Sequence, residues 1–358
     1  MRAVRYALSV LHNRTGGLPE RPSWCTYLVS YRCNARCGMC DSWRMKPGEE
    51  MGVEDVAAVF AKLGPLDVVR LTGGEPFLRP DLPDLALAIL EASRPLVLHV
   101  TTNGSRVDEV LRYATALRKH ERRLAFLVSL DGAGAVHDAN RGADATHAQA
   151  MDTVRALSSR GLRVAINHTV ISPGSMQDSE AIRAEAAELG VEVHVVVAYA
   201  ESATYGLKLR GQRAEHLIVP DGYPLHPDLE GADVVGFVER ELARIGRVRS
   251  PVERLAKRYY LRGLLARLRH EKSRSGPPCV ALRSHVRLLP DGRVPVCQFN
   301  GEIAGDLRTQ GFDEVWRSAR ARELRGWVDR CPGCWAECEA LPSAIYTGEL
   351  ARALGPLG

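Results

Sequence analysis

The chain has 358 residues, 45% hydrophobic and 25% charged. That is the composition of a folded globular protein with room for two domains at roughly 150 residues each, and it excludes disordered, collagenous and coiled-coil classes. The 48 basic and 43 acidic side chains leave a net charge of +5, too nearly balanced to require nucleic acid as a partner. No apolar run approaches the eighteen or so residues of a membrane span, and residues 1–17 lack the pattern of an export signal, so the expected compartment is the cytoplasm.

Residues 1–22 read as an N-terminal extension. From 23 to 200, short runs rich in Val, Leu and Ile alternate with segments of helical period. Strands are expected at 25–30, 67–72, 96–101, 124–130, 163–171 and 192–199, and helices at 53–63, 81–92, 106–118, 147–159 and 175–189. Strands apolar on both faces and separated by helices pair in parallel through right-handed crossovers. The expected class is α/β, a partial (β/α)6 barrel whose functional groups gather just after the strand C-termini. Residues 201–277 lose the alternation and read as a connector ending in a helix at 252–274. That helix carries eight basic and two acidic residues, with an apolar stripe at Leu261, Leu264, Leu265 and Leu268. It reads as a strut between domains, or as a surface for anionic lipid, a phosphorylated substrate or a reductant protein. A small cysteine-rich α+β module is expected at 278–340, with a hairpin of strands 286–289 and 293–297 around Pro290-Asp291-Gly292, and a tail at 341–358.

Nine cysteines are the strongest signal. Cys33, Cys37 and Cys40 form a CxxxCxxC after the first expected strand, and Cys279, Cys297, Cys331, Cys334 and Cys338 lie near the end, with none between Cys40 and Cys279. Clustered thiols in a large chain without an export signal point to metal rather than to disulfides. Three closely spaced thiolates wrap one face of an iron–sulfur cluster and leave one iron open. Cys25 lies within a strand and reads as a buried apolar residue. Gly73-Gly74-Glu75-Pro76 follows the second strand, Asn103-Gly104 the third, and Ser129 through Gly132 the fourth. Taken alone, each is equally well an ordinary turn.

The CxxxCxxC, the GGEP and the partial barrel together resemble the radical S-adenosylmethionine (SAM) superfamily over about residues 23–200. The resemblance implies that Cys33, Cys37 and Cys40 hold a [4Fe-4S] cluster whose open iron chelates SAM. One-electron reduction then cleaves SAM to a 5′-deoxyadenosyl radical that abstracts hydrogen from the substrate, the electron coming from a flavodoxin- or ferredoxin-type donor. Gly73, Gly74, Glu75 and Pro76 would line SAM, Glu75 meeting its amino group, and Ser129 and Asn103 would contact it from the same rim. The position before the third cysteine, usually aromatic in this family, is Met39. His137 reads as a hydrogen-bonded structural histidine or a catalytic group.

The late cysteines resemble the SPASM and twitch modules of such enzymes, with five thiols where the full pattern has seven or more. The shorter form implies one auxiliary [4Fe-4S] cluster held by Cys279, Cys297, Cys331 and Cys334, with Cys338 as rival for the fourth place and structural zinc as the alternative metal. Four protein thiolates leave no iron for substrate, which suits an electron acceptor. The expected substrate is a small molecule or, since no winged-helix module is expected within residues 1–22, less readily a peptide. A noncatalytic electron carrier or redox sensor would have no use for GGEP.

Overall fold

A computed structural model describes residues 2–46, 48–200, 222–271 and 276–353. Seven parallel strands form one curved sheet in the order β6-β5-β4-β3-β2-β1-β7. They are β1 (Trp24–Ser30), β2 (Val68–Gly73), β3 (Val97–Thr102), β4 (Leu124–Ser129), β5 (Val164–Val170), β6 (Glu192–Val197) and β7 (His285–Leu288). Crossover helices α2 (Val53–Leu63), α3 (Leu82–Ser93), α4 (Val107–Ala116), α5 (Ala135–Arg141), α6 (Thr146–Ser159), α7 (Pro173–Gln177) and α8 (Ser179–Glu188) follow in chain order, after an N-terminal helix α1 (Arg2–Thr15). Six of the seven β1 residues are buried, as a strand covered on both faces requires. Cys25, Tyr27 and Val29 point to the helices and the alternate residues face the lumen; Cys25 is fully enclosed, and burial holds its thiol well above the usual range.

The six expected barrel strands are all present. A seventh, β7, comes from the terminal segment and pairs in parallel with β1, Trp24 beside His285 and Thr26 beside Arg287. The hairpin expected at 286–289 and 293–297 is therefore corrected. Gly292 does turn the chain, at φ +92°, with its N–H donating to Leu289 O at 3.1 Å. Leu289 N–H also donates to Arg293 O at 2.9 Å across the turn, but beyond that bond the arms part, and β8 (Arg293–Pro295) pairs antiparallel with β9 (Ile303–Asp306) instead. The physical reason is β1's open edge, whose unpaired backbone groups capture the apolar arm as a seventh strand.

The rest of the terminal region is helical: α11 (Phe312–Trp316), α12 (Ala319–Arg330), α13 (Glu337–Tyr346) and α14 (Glu349–Arg352). The boundary expected at residue 340 falls inside α13. Within the expected connector, α9 (Val234–Ala243) and α10 (Pro251–Leu268) are helices, while residues 201–221 and 272–275 lie outside the described residues. In α10, Tyr260, Leu261 and Leu264 are buried, and Trp335 seats against the helix with its Nε1–H donating to Tyr260 O at 2.8 Å. Gly263 makes room: a β-carbon there would stand 1.8 Å from the Trp335 ring. Arg267 caps the same ring at 5.0 Å. The apolar stripe thus serves as a strut against the terminal module. Helix α1 ties both ends of the chain together, Asn13 Nδ2 donating to Ser284 Oγ at 2.7 Å and to Tyr346 O at 2.8 Å. Among the described residues no helix is long and apolar enough to cross a membrane.

Candidate functional site

The C-terminal ends of β1 to β4 build one rim, as the strand order requires. The loop after β1 carries Cys33, Cys37 and Cys40 and is pinned from two sides. On one side the GGEP turn holds it, Gly74 N–H donating to Ser30 O and Glu75 N–H to Arg32 O, each at 2.8 Å. A β-carbon on Gly73 would stand 2.2 Å from Ser30 O, and one on Gly74 2.0 Å from Arg32 O. The close approach that demands both glycines is thus made by the cysteine loop itself. On the other side α5 closes in, Arg36 N–H donating to Arg141 O at 2.8 Å and Gly38 N–H to Asn140 O at 3.1 Å.

Glu75 is 1% exposed and accepts three hydrogen bonds. Phe77 N–H (3.0 Å) and Thr102 Oγ1 (2.8 Å) reach Oε1, and Asn103 N–H (2.7 Å) reaches Oε2. Burial pushes its carboxyl up, against donors that favour the ionised form. Pro76 opens the short 3-10 turn Pro76–Leu78 that follows. The Asn103 side chain is committed to the loop, donating to Asn34 Oδ1 at 2.9 Å and accepting from Ser105 Oγ at 2.7 Å. Ser129 ends β4, 8% exposed. His137 accepts from Asp131 N–H at 2.9 Å through Nδ1, and burial pushes it down to about 4, the behaviour of a structural histidine.

The three thiols are mutual neighbours. Burial pushes Cys33 up to about 12, with the charges of Glu75, Cys37 and Cys40 adding to the effect. Such a group ionises only against a compensating cation, the condition that an iron–sulfur cluster meets. One organic cation is already in place. Arg141 Nη1 donates to Cys37 Sγ at 3.5 Å while Nη2 pairs with the fully buried Asp131 at 2.7 Å. Burial opposes the Arg141 charge, and Asp131 and Cys37 outweigh it. Sequence reasoning gave Arg141 no role.

Across the lumen, four terminal cysteines form a second set. Burial pushes Cys279 up to about 12, with Glu339 and Cys331 adding, and holds Cys334 well above its usual range, with Glu339, Cys279 and Cys297 adding. Asn300 N–H donates to Cys297 Sγ at 3.3 Å. Cys338 packs on the same core as Cys279, Cys331 and Cys334. Its Sγ donates to Gln298 Oε1 at 2.9 Å, and after burial the groups acting on it most are Arg287, Glu339 and Arg70. Among the described residues no group of three or more His, Cys, Asp or Glu side chains, in either cysteine set, is arranged to hold a single metal ion.

A buried ion pair flanked by a histidine joins this module to the sheet. Glu339 of α13 takes Arg287 Nη2 at 2.6 Å and Nε at 2.8 Å, both from β7. His285 Nδ1 lies 3.1 Å from Glu339 Oε2, and its Nε2 lies 2.9 Å from Thr26 Oγ1. Burial opposes the Glu339 charge, but Arg287 and His285 outweigh it and hold the carboxyl at about 2. Burial pushes His285 down, so a neutral ring donates to Glu339 and accepts from Thr26.

Between the first cysteine loop and the terminal module lies a cavity of about 300 Å3 lined by residues that include Met39, Ser42, Arg70, Thr72, Gly73, Thr101, Arg287, Gln298 and Cys338. Residues 27–186 match the radical SAM superfamily, and residues 279–339 match the SPASM iron–sulfur cluster-binding domain. The chain carries a radical SAM domain and a SPASM domain. Two solved structures share the fold of this radical SAM chain. One is anSMEcpe with bound AdoMet and a Cp18Cys peptide (TM-score 0.60, 16% identity, 93% of this chain and 95% of that one). The other is Streptococcus suis SuiB bound to S-adenosylmethionine (TM-score 0.61, 14% identity, 89% and 70%). Among curated relatives, pre-heme d1 synthase of Dinoroseobacter shibae is 31% identical over 194 residues, 52% of this chain and 46% of that protein. A probable GTP 3′,8-cyclase of Archaeoglobus fulgidus is 38% identical over 95 residues, 25% and 30%. The chain spans less than half the length of these curated relatives. Its cofactors are SAM, the [4Fe-4S] cluster that binds it, and auxiliary iron–sulfur chemistry in the SPASM domain.

Proposed function

We propose that this radical SAM enzyme removes a hydrogen atom from an unactivated C–H bond of a small molecule and completes a dehydrogenation by passing one electron to an auxiliary cluster. The observation that carries the reading is the roughly 300 Å3 cavity walled on one side by the first cysteine loop, through Met39 and Ser42, and on the other by the terminal module, through Gln298 and Cys338. That volume suits a small ligand. Cys33, Cys37 and Cys40 would hold the SAM-binding cluster, and Cys279, Cys297, Cys331 and Cys334 the auxiliary one. When bound, these groups would supply reductive SAM cleavage and electron acceptance.

The chain's own residues do the rest. Glu75 and the two glycines fix the first loop, leaving one Glu75 lone pair for the SAM amino group, with Ser129 on the same rim. Arg141 supplies a fixed positive charge beside Cys37. The electron count would balance: one electron from the external donor is spent in cleaving SAM to methionine and the radical, the substrate carbon gives its hydrogen atom to form 5′-deoxyadenosine, and as the double bond forms the neighbouring atom releases a proton to solvent while one electron passes to the auxiliary cluster.

Anaerobic reconstitution followed by iron, sulfide and 5′-deoxyadenosine assay tests this reading. Two clusters' worth of iron and dithionite-dependent 5′-deoxyadenosine are expected. One cluster's worth of iron with stoichiometric zinc would withdraw the redox role of the terminal site.

A further inference from the structure

The strand register places Arg287 of β7, Thr26 of β1, Arg70 of β2 and His99 of β3 side by side on one level of the sheet, all facing the lumen. Two of the four are guanidinium groups. Arg287 is engaged by Glu339. The nearest carboxylate to Arg70 is Glu337, at 4.0 Å from Nη2, an ion pair without hydrogen-bond contact. The Thr101 hydroxyl, on the level above, is buried and has no hydrogen-bond partner.

Arg70 lines two adjoining cavities that differ in charge. The lower one, about 600 Å3, has Glu192, Glu253 and Glu337 in its wall besides Arg70 and Arg163. The upper one, beneath Met39, has Arg70 and Arg287 as its charged lining and no carboxylate. Its other polar groups, among them Thr26, Thr101 and Gln298, include hydroxyls and an amide. A guanidinium half-free of partners, facing a cavity with a second guanidinium and the unpartnered Thr101 hydroxyl, is the donor set for a planar or tetrahedral oxyanion.

We infer that the upper cavity is an oxyanion subsite in which Arg70, with Arg287 behind it, anchors a carboxylate or phosphate group of the substrate and so presents its C–H bond to the first cysteine loop. This deepens the proposed function and rests on it for the identity of the ligand as substrate. Anion binding itself does not depend on that reading.

The test is thermal unfolding of the anaerobically reconstituted full chain, saturated with SAM, in millimolar succinate or millimolar inorganic phosphate against chloride of equal ionic strength. One of the two oxyanions is expected to raise the midpoint by about 2 °C or more in the wild type, and which one does so identifies the group. Arg70→Met should abolish the rise. Arg70→Lys, which keeps the charge but not the fork, should retain part of it and guards against a folding defect in the Met variant. No shift beyond chloride, or a full wild-type shift in both variants, overturns the subsite. Wild-type 5′-deoxyadenosine formation is read in parallel. An oxyanion shift without SAM cleavage would overturn the proposed function and leave the subsite, and cleavage without a shift would do the reverse.

Discussion

Glu75 shows how one side chain serves both fold and site. Its two oxygens take three donors from the turn and from the end of β3. Replacement by Gln turns an amide N–H toward one of them, and a buried unpaired donor costs about 1–3 kcal/mol. Glu75→Gln should therefore lower thermal stability as well as SAM affinity. An unchanged melting point in the variant would show that the three bonds contribute nothing. The cysteines divide in the same residue-by-residue way. Cys297→Ala should lose the auxiliary iron, whereas Cys338→Ala, whose thiol donates to Gln298, should keep it. Iron counting on the two variants decides, and loss of the auxiliary cluster in Cys338→Ala would return that residue to the ligand set.

At the scale of elements, the Glu339–Arg287–His285 triad welds α13 to β7 where both are buried. Breaking a buried ion pair by removing one charge costs about 3–5 kcal/mol, because the partner is left uncompensated. Glu339→Gln should therefore lower the denaturation midpoint strongly, and Arg287→Met together with Glu339→Gln should recover part of the loss. A double variant no more stable than the worse single one would count against pairing as the cause. Gly263 offers a steric test of the α10 strut. Gly263→Ala places a methyl inside the Trp335 ring position, so near-ultraviolet circular dichroism should report a displaced tryptophan. An unaltered spectrum would mean that the helix yields without disturbing the module.

For the whole molecule, β7 makes the terminal segment part of the barrel sheet, and metal binding couples to folding wherever distant ligands must be held together. A variant lacking the auxiliary cluster, such as Cys279→Ala with Cys297→Ala, should unfold in one transition at a lower temperature. Two separate transitions would show that the module melts by itself.

The sequence determined by itself what is local. Alternating apolar runs and helical periods gave the six barrel strands, and tight spacing gave the first cysteine trio, because residues a few positions apart must share a loop. The GGEP turn was legible for the same reason, although what crowds its glycines is the chain's own Ser30 and Arg32. Tertiary structure decided what depends on distant partners. The arm expected at 286–289 looked like half a hairpin because the turn at Gly292 is real, yet the open edge of β1 claimed it. Helix α13 was hidden by Pro342, which sits inside it, and by an amphipathic signal too weak to extend past Cys338. Arg70, Arg287 and Arg141 carried no motif, since a cation becomes a site only when strand register and burial decide which charges face it.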